Sequence, residues 1–295
     1  MCGIVGGTSE RNILPILVEG LRRLEYRGYD SAGVAFKKNG TISVTKNKGR
    51  VNQLAKKLNL KKNQSNLGIA HTRWATHGIP SEKNAHPHAS KNIFVVHNGI
   101  IENHNDLKAQ IKAEGIKFVT QTDTEVIAHL IRTFREKGQS FEKAVFNTIK
   151  KLKGAYALGI IDKTDPEQVI GVRNQSPLVL GKGFQENFIA SDVMALAPVT
   201  NKFVYLDDGQ IALVNRQKAV VKSASMHTIR QKTHEVDSNA YTSDKGSYNH
   251  FMEKEIFEQP NAFKNSTEGR LTKNETQEGI FGAGFESAVK DITNI

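Results

Sequence analysis

Apolar residues along the chain follow two rhythms. The first is a series of short apolar runs at residues 32–36, 66–72, 92–97, 155–162, 168–173, 203–206 and 210–214. Runs of this length bounded by Gly, Asn or Asp predict β-strands. Asn39-Gly40 is a two-residue hairpin signal linking residues 32–36 to a further strand at 41–46. Asp207-Asp208-Gly209 is expected to join the last two runs. The second rhythm has helical spacing. Ile13, Ile16, Leu17, Leu21 and Leu24 form one stripe, with Asn12 as N-cap and Pro15 in the first turn. Val126, Ile127, Leu130, Ile131 and Phe134 form a second, opened by a capping box of Thr122 and Glu125 and closed near Gly138. Val145, Ile149 and Leu152 make a third, ending at Gly154. Hairpins with packed helices predict an α+β layered fold, not a doubly wound parallel sheet.

The texture changes from about residue 240. Residues 248–260 predict a short amphipathic helix stopped by Pro260, followed by polar NETQEG and glycine-rich GIFGAGF. The expected division is a compact domain at residues 2–240 and a linker-like segment at 241–295, whose last residues, SAVKDITNI, resemble the entry to another element.

Composition narrows the functional classes. The 295 residues are 38% hydrophobic and 24% charged, enough to bury a core. No apolar run approaches the ~20 residues of a membrane helix, and no basic-then-apolar leader opens the chain. A soluble, cytoplasmic protein is expected. One cysteine excludes an internal disulfide, and the lack of CxxC pairs excludes a thiolate zinc site. The net charge of +11 is concentrated before residue 241, where 35 basic residues face 21 acidic ones. Its lysines are single or paired and lack interleaved aromatics, so they read as a solvated surface rather than a nucleic-acid site. Six of ten histidines (His71, His77, His86, His88, His97 and His104) fall within 34 residues. They lack an HExxH spacing and an evident carboxylate partner, and no functional metal is expected.

Cys2 carries the sharpest chemical signal. It follows Met1, the context in which an initiator methionine is removed, so the thiol and a free α-amine would share one carbon. An amine of pKa about 7.7–8 is partly neutral at working pH and can take the thiol's proton. Cys2 opens an apolar strand whose glycines, Gly3 and Gly6, are expected to leave room for a substrate.

Four further segments accompany MCGIVG: LEYRGYDSAG (24–33), HTRWATHG (71–78), HNGIIEN (97–103) and TDTEVI (122–127). Together they resemble the glutaminase domain of the class II glutamine amidotransferases. The wording, including SPLVLG (176–181), ENFIASD (186–192) and HFMEKEIFEQP (250–260), is similar to the glutamine–fructose-6-phosphate aminotransferases. The resemblance implies an N-terminal nucleophile hydrolase fold, an αββα four-layer sandwich with two mainly antiparallel sheets. It implies that Cys2 attacks L-glutamine, with the Asn98 amide and Gly99 N–H as oxyanion donors. Arg73 is implied for the substrate carboxylate, Asp123 for its ammonium, and Thr76 and His77 for the rest of that pocket. Arg27 would orient Cys2, and Trp74 would lie in the loop closing over glutamine. No cofactor is implied. The family's isomerase half, which binds fructose 6-phosphate, is not recognised in these 295 residues, and residues 241–295 would be its linker and truncated start. A homodimer is implied for the full-length enzyme.

Residue chemistry alone leaves two other readings open. One is another N-terminal cysteine hydrolase, such as an acylase or a purine-pathway amidotransferase. The other is a non-catalytic binding module.

Overall fold

Ile4 and Val5 are neighbours in sequence, yet they pack into different cores. Successive side chains of a strand point to opposite faces, so both faces of this strand are covered. The same alternation recurs through the chain and explains why its strands read as nearly continuous apolar runs. The computed structural model describes residues 2–236 and 247–267. The chain divides into two compact units, Met1–Thr242 and Ser243–Ile295. Met1, the division expected near residue 240, and the polar and glycine-rich stretches after the last helix lie outside the described residues.

In the first unit the elements run β1 (Gly3–Ser9), α1 (Leu14–Leu24), β2 (Ser31–Lys38), β3 (Thr41–Lys48), α2 (Val51–Leu58), β4 (Leu67–Arg73), β5 (His88–Ser90) and β6 (Ile93–Gly99). Three helices follow, α3 (His104–Ala113), α4 (Glu125–Glu136) and α5 (Phe141–Ile149). The remaining strands are β7 (Tyr156–Asp162), β8 (Asp165–Asn174), β9 (Val179–Lys182), β10 (Glu186–Ala190), β11 (Lys202–Tyr205), β12 (Ile211–Val214), β13 (Ala219–Lys222), β14 (Thr228–Ile229) and β15 (His234–Glu235). One sheet has the order β15-β11-β9-β10-β1-β4-β2-β3, the other β14-β13-β12-β8-β7-β6-β5. Every pairing in them is antiparallel.

Three apolar cores make this a four-layer α+β sandwich. Val5, Phe36 and Phe188 meet Leu14, Leu17 and Leu21 of α1 and Leu54 of α2 on one outer face. Val95, Leu158 and Ile160 meet Leu107 of α3, Ile127 and Ile131 of α4 and Val145 of α5 on the other. Between the sheets, Ile4, Ile69 and Ile189 pack on Val96, Ala157 and Val169. Each fully buried side chain of this size is worth about 1.5–3 kcal/mol. Among the described residues no helix is long and apolar enough to cross a membrane.

Several local expectations are corrected. Asn12 does accept from the Leu14 N–H, at 3.3 Å, but the N-cap position itself is Ile13. The capping box is not formed. Glu125 is the first residue of α4, the Thr124 side chain makes no cap, and the Thr122 hydroxyl faces His88 Nε2 at 3.1 Å. Gly209 adopts φ +77° in the expected turn, but β11 and β12 belong to different sheets, each having a better-matched partner there. The link is therefore a crossover and not a hairpin. In the second unit, α6 (Phe251–Thr267) continues through Pro260. Proline removes one helical hydrogen bond there without forcing the chain to leave the helix. Finally, the glycines after Cys2 make room for protein, not substrate. A Cβ on Gly3 would lie 2.8 Å from Leu24 Cβ, and one on Gly6 would lie 3.0 Å from an Ile69 methyl.

Candidate active site

The site forms where three strand ends meet. β1 and β4 are antiparallel with Gly3 opposite Thr72, which sets Cys2 beside Arg73 and Trp74. β6 of the facing sheet ends at Asn98-Gly99. The Trp74 N–H donates to Cys2 Sγ at 3.2 Å, and Asn98 Nδ2 donates to the Cys2 carbonyl at 3.1 Å. Burial pushes the thiol pKa up, while the Trp74 amide partly opposes it. The resting sulfur is thus a protonated thiol, which needs a base before it can attack. Gly99 adopts φ +118°, and a Cβ there would lie 2.0 Å from the Ala155 carbonyl oxygen, so only glycine fits.

Arg73 ends β4 and heads the loop that carries Trp74, Thr76 and His77. Its Nη2 donates to the His77 carbonyl and, at 3.1 Å, to the Gly78 carbonyl. Its Nη1 is buried and has no partner among the described residues. Burial lowers the guanidinium's pKa, with Asp30, Cys2 and Asp123 opposing. Asp30 anchors the loop by accepting from the Ala75 N–H, and its own N–H donates to the Arg73 carbonyl at 3.1 Å. Asp123 lies before α4 and accepts from the Ile101 N–H at 2.8 Å. Trp74 is half exposed and meets Tyr29 edge-on with ring centres 6.0 Å apart.

Cys2, Arg73, Trp74, Thr76, His77, Gly99 and Asp123 line one cavity with His86, His97, Thr122 and Thr124. Asn98 joins them through its bond to Cys2. The cavity measures about 20 Å³, close to the room for one water molecule. A larger crevice of about 750 Å³ lies around Lys46, Lys57, Glu82, His88 and Glu125. Burial lowers the pKa of Lys46 there to about 8, with Glu125 opposing. That crevice is lined by neither Cys2 nor the Asn98-Gly99 pair.

Arg27 stands apart from the lining residues. Its guanidinium bonds to Asp192, and its Nε donates to Tyr26 Oη at 2.9 Å. Asp192 and Ser191 were not singled out in sequence. Ser191 Oγ accepts from the Ile4 N–H at 3.0 Å, which ties the end of ENFIASD to the start of β1. Asp30 and Thr124 were also missed as individuals, and Thr122 was read only as a helix cap, although each sits inside one of the segments that carry the resemblance.

Four of the clustered histidines, His71, His86, His88 and His97, are buried close to one another. His97 Nδ1 lies 2.9 Å from Thr124 Oγ1, and the His97 N–H donates to His86 Nδ1 at 3.1 Å. Burial lowers the pKa of His71, His86, His88 and His97. Among the described residues no group of three or more His, Cys, Asp or Glu is arranged to hold a metal ion.

Glu125 supplies a pH-dependent contribution. Its carboxylate accepts from the Val119 N–H at 2.8 Å and from the Thr120 N–H and hydroxyl at 2.7 Å each, and it faces His129 Nε2 at 3.3 Å. Burial favours the neutral acid, but these bonds together outweigh it and hold the pKa at about 2, below its ordinary 4.5. A depressed native pKa stabilises the fold at neutral pH, and that contribution is lost as pH falls from about 5 towards 2. Glu125→Gln is expected to cost about 2 kcal/mol in denaturant unfolding at pH 7, and less at pH 3. A cost that is the same at both pH values would contradict this account.

Residues 58–252 match a family described as the glutamine amidotransferase domain, and they make up well over half of the chain. The chain belongs to the glutamine amidotransferase domain family. This amidotransferase chain is 46% identical over its full length to glutamine–fructose-6-phosphate aminotransferase of Shewanella oneidensis, covering 49% of that protein. It is 50% identical over 94% of its length to the same-named protein of Acinetobacter baylyi, covering 45% of it. The amidotransferase chain thus spans about half the length of the curated relatives it matches. Among solved structures it resembles glutamine phosphoribosylpyrophosphate amidotransferase of B. subtilis, with a TM-score of 0.67 and 26% identity over 78% of this chain and 50% of that one. The four-layer fold of this amidotransferase is that of the N-terminal nucleophile hydrolases, as sequence led one to expect.

Proposed function

We propose that this chain hydrolyses L-glutamine to L-glutamate and ammonia through a γ-glutamyl thioester on Cys2. The observation that carries this reading is the convergence on Cys2 of an oxyanion donor and a buried cation. Asn98 Nδ2 lies 3.1 Å from the Cys2 carbonyl, and Arg73 lines the same cavity with one buried guanidinium nitrogen unpartnered among the described residues. After removal of Met1, the Cys2 α-amine takes the thiol proton and Sγ attacks the amide carbon. The charge on the amide oxygen is met by the Asn98 amide and the Gly99 N–H. The C–N bond then breaks, ammonia leaves with a proton from the α-ammonium, and water cleaves the thioester to glutamate. Arg73, with Thr76 and His77, would hold the α-carboxylate, and Asp123 would hold the α-ammonium. Trp74 would cover the entrance, and Arg27, bonded to Asp192, would steady the start of β1 rather than touch Cys2.

We propose further that the ammonia serves the amination of fructose 6-phosphate to glucosamine 6-phosphate. The acceptor is taken from the relatives' printed name, and identities of 45–50% favour it over the acceptor of the 26% identical neighbour. Its site would lie in the portion of those relatives that this chain does not span.

Arg73→Ala tests the pocket. A charge-assisted fork to a carboxylate contributes about 1.5–3 kcal/mol, so KM for glutamine is expected to rise roughly 10- to 150-fold, with a smaller change in kcat. An unchanged KM would remove Arg73 from the substrate site.

A further inference from the structure

The Asn98 amide can serve as an oxyanion donor in only one of its two flipped orientations. With Nδ2 towards Cys2 it presents a donor; turned over, it would present an oxygen to the developing negative charge. Something must therefore fix the flip. Asn98 Oδ1 lies 3.0 Å from His71 Nε2, which also lies 2.9 Å from the His97 carbonyl oxygen. That carbonyl can only accept, and Asn98 Oδ1 must accept if Nδ2 is the atom donating to Cys2. His71 Nε2 therefore carries the proton and is shared between the two oxygens.

The other ring nitrogen leaves this tautomer no competitor. His71 Nδ1 is buried with no hydrogen-bond partner among the described residues, so a proton placed there would be unsatisfied. The ring is fully buried and stacks on His86 with centres 4.2 Å apart and planes at 21°. Its backbone is held in the middle of a sheet, with Ile4 of β1 on one side and Gly33 of β2 on the other. Burial also lowers its pKa to about 3, so the imidazole stays neutral throughout the range in which the enzyme would work.

We propose that His71 is the positioning residue of the oxyanion site: its neutral Nε2–H locks the Asn98 side-chain amide with the donor end towards Cys2, where Nδ2 meets the backbone carbonyl. The inference rests on the glutaminase reading above and adds a residue that does not touch the substrate. Removing the lock lets the amide sample the wrong orientation, where it repels the oxyanion. Binding of ground-state glutamine should change little, because Arg73 and Asp123 are untouched.

A double-mutant cycle on the full chain tests it. His71→Leu is expected to lower kcat for glutamine hydrolysis roughly 30-fold, part of the 10²–10³ that an oxyanion donor supplies, with KM within about twofold of wild type. In an Asn98→Ala background the same change should alter kcat by less than about twofold, because no amide remains to be oriented. A readout that a merely structural role would not move is the affinity for the γ-aldehyde analogue of glutamine. Cys2 adds reversibly to its carbonyl, forming a C–S bond and an oxygen that needs the same donors. His71→Leu should weaken aldehyde binding by about the kcat factor and leave L-glutamate binding unchanged.

Equal losses of kcat in both backgrounds, or equal weakening of aldehyde and glutamate, would overturn the proposal. If His71→Leu does not fold, two polar variants carry the same test. His71→Gln can place an N–H near the position of Nε2 and should keep most of the rate, whereas the shorter His71→Asn should not. Equal rates in that pair would overturn it. Asn98→Ala with undiminished kcat would sink the oxyanion assignment and this proposal with it, while hydrolysis surviving Cys2→Ala would sink the glutaminase reading itself.

Discussion

Cys2→Ala is expected to abolish glutamate release from glutamine, a loss on the order of 10⁴–10⁶-fold in kcat, because it removes the atom that becomes bonded to the substrate. Cys2 is the chain's only cysteine, so no neighbouring thiol can substitute. The fold should survive, since Cys2 precedes β1 and, among the described residues, its sulfur makes hydrogen bonds only to the backbone of Trp74. Glutamate binding measured calorimetrically should therefore be retained while turnover is lost. Retention of Met1 should produce the same loss by another route. The amine would then be an amide nitrogen with no basic lone pair, while the buried thiol keeps its raised pKa. Turnover by a chain shown to retain Met1 would contradict the assignment of the α-amine as base.

Asn98→Ala is expected to lower kcat by about 10²–10³-fold, equivalent to about 3–4 kcal/mol, with KM little changed. The split follows from where the amide points. Nδ2 is directed at Cys2, while the groups assigned to the amino-acid head, Arg73 and Asp123, lie on other elements of the cavity wall. Asn98→Asp should be at least as damaging, because a carboxylate of the same shape repels the oxyanion. Steady-state kinetics on glutamine check both variants. A fall in kcat/KM arising only from KM would move Asn98 from transition-state stabilisation to substrate binding.

Much of the fold was legible because strands and helices buried on one or both faces leave plain periods in sequence. The Asn39-Gly40 hairpin formed as expected, with both turn residues at positive φ. Sheet membership was not legible. Whether residues after Asp207-Asp208-Gly209 fold back or cross over depends on the partners β9 and β8, far away in sequence. The capping box failed for a similar reason. The Thr122 hydroxyl and the Glu125 carboxylate had the right spacing, but tertiary partners, His88 and the backbone of residues 119–120, claimed them. At the site, segment resemblance drew attention to the residues that line one cavity. It could not give the orientation of the Arg73 fork towards the His77 and Gly78 carbonyls, which depends on loop conformation. Nor could it reveal the support of Asn98 by His71, since a histidine in a strand looks alike whether its ring packs in a core or holds another side chain.

The measurement that bears most directly on the central claim is the intact mass of the purified chain before and after exposure to a glutamine analogue carrying a chloroketone in place of the carboxamide. The account predicts a starting mass lacking one methionine, a single covalent adduct on Cys2, and protection by L-glutamine. A chain that has lost Met1 and yet forms no adduct, or forms one that glutamine does not prevent, would contradict the claim that Cys2 is a nucleophile set in a glutamine site.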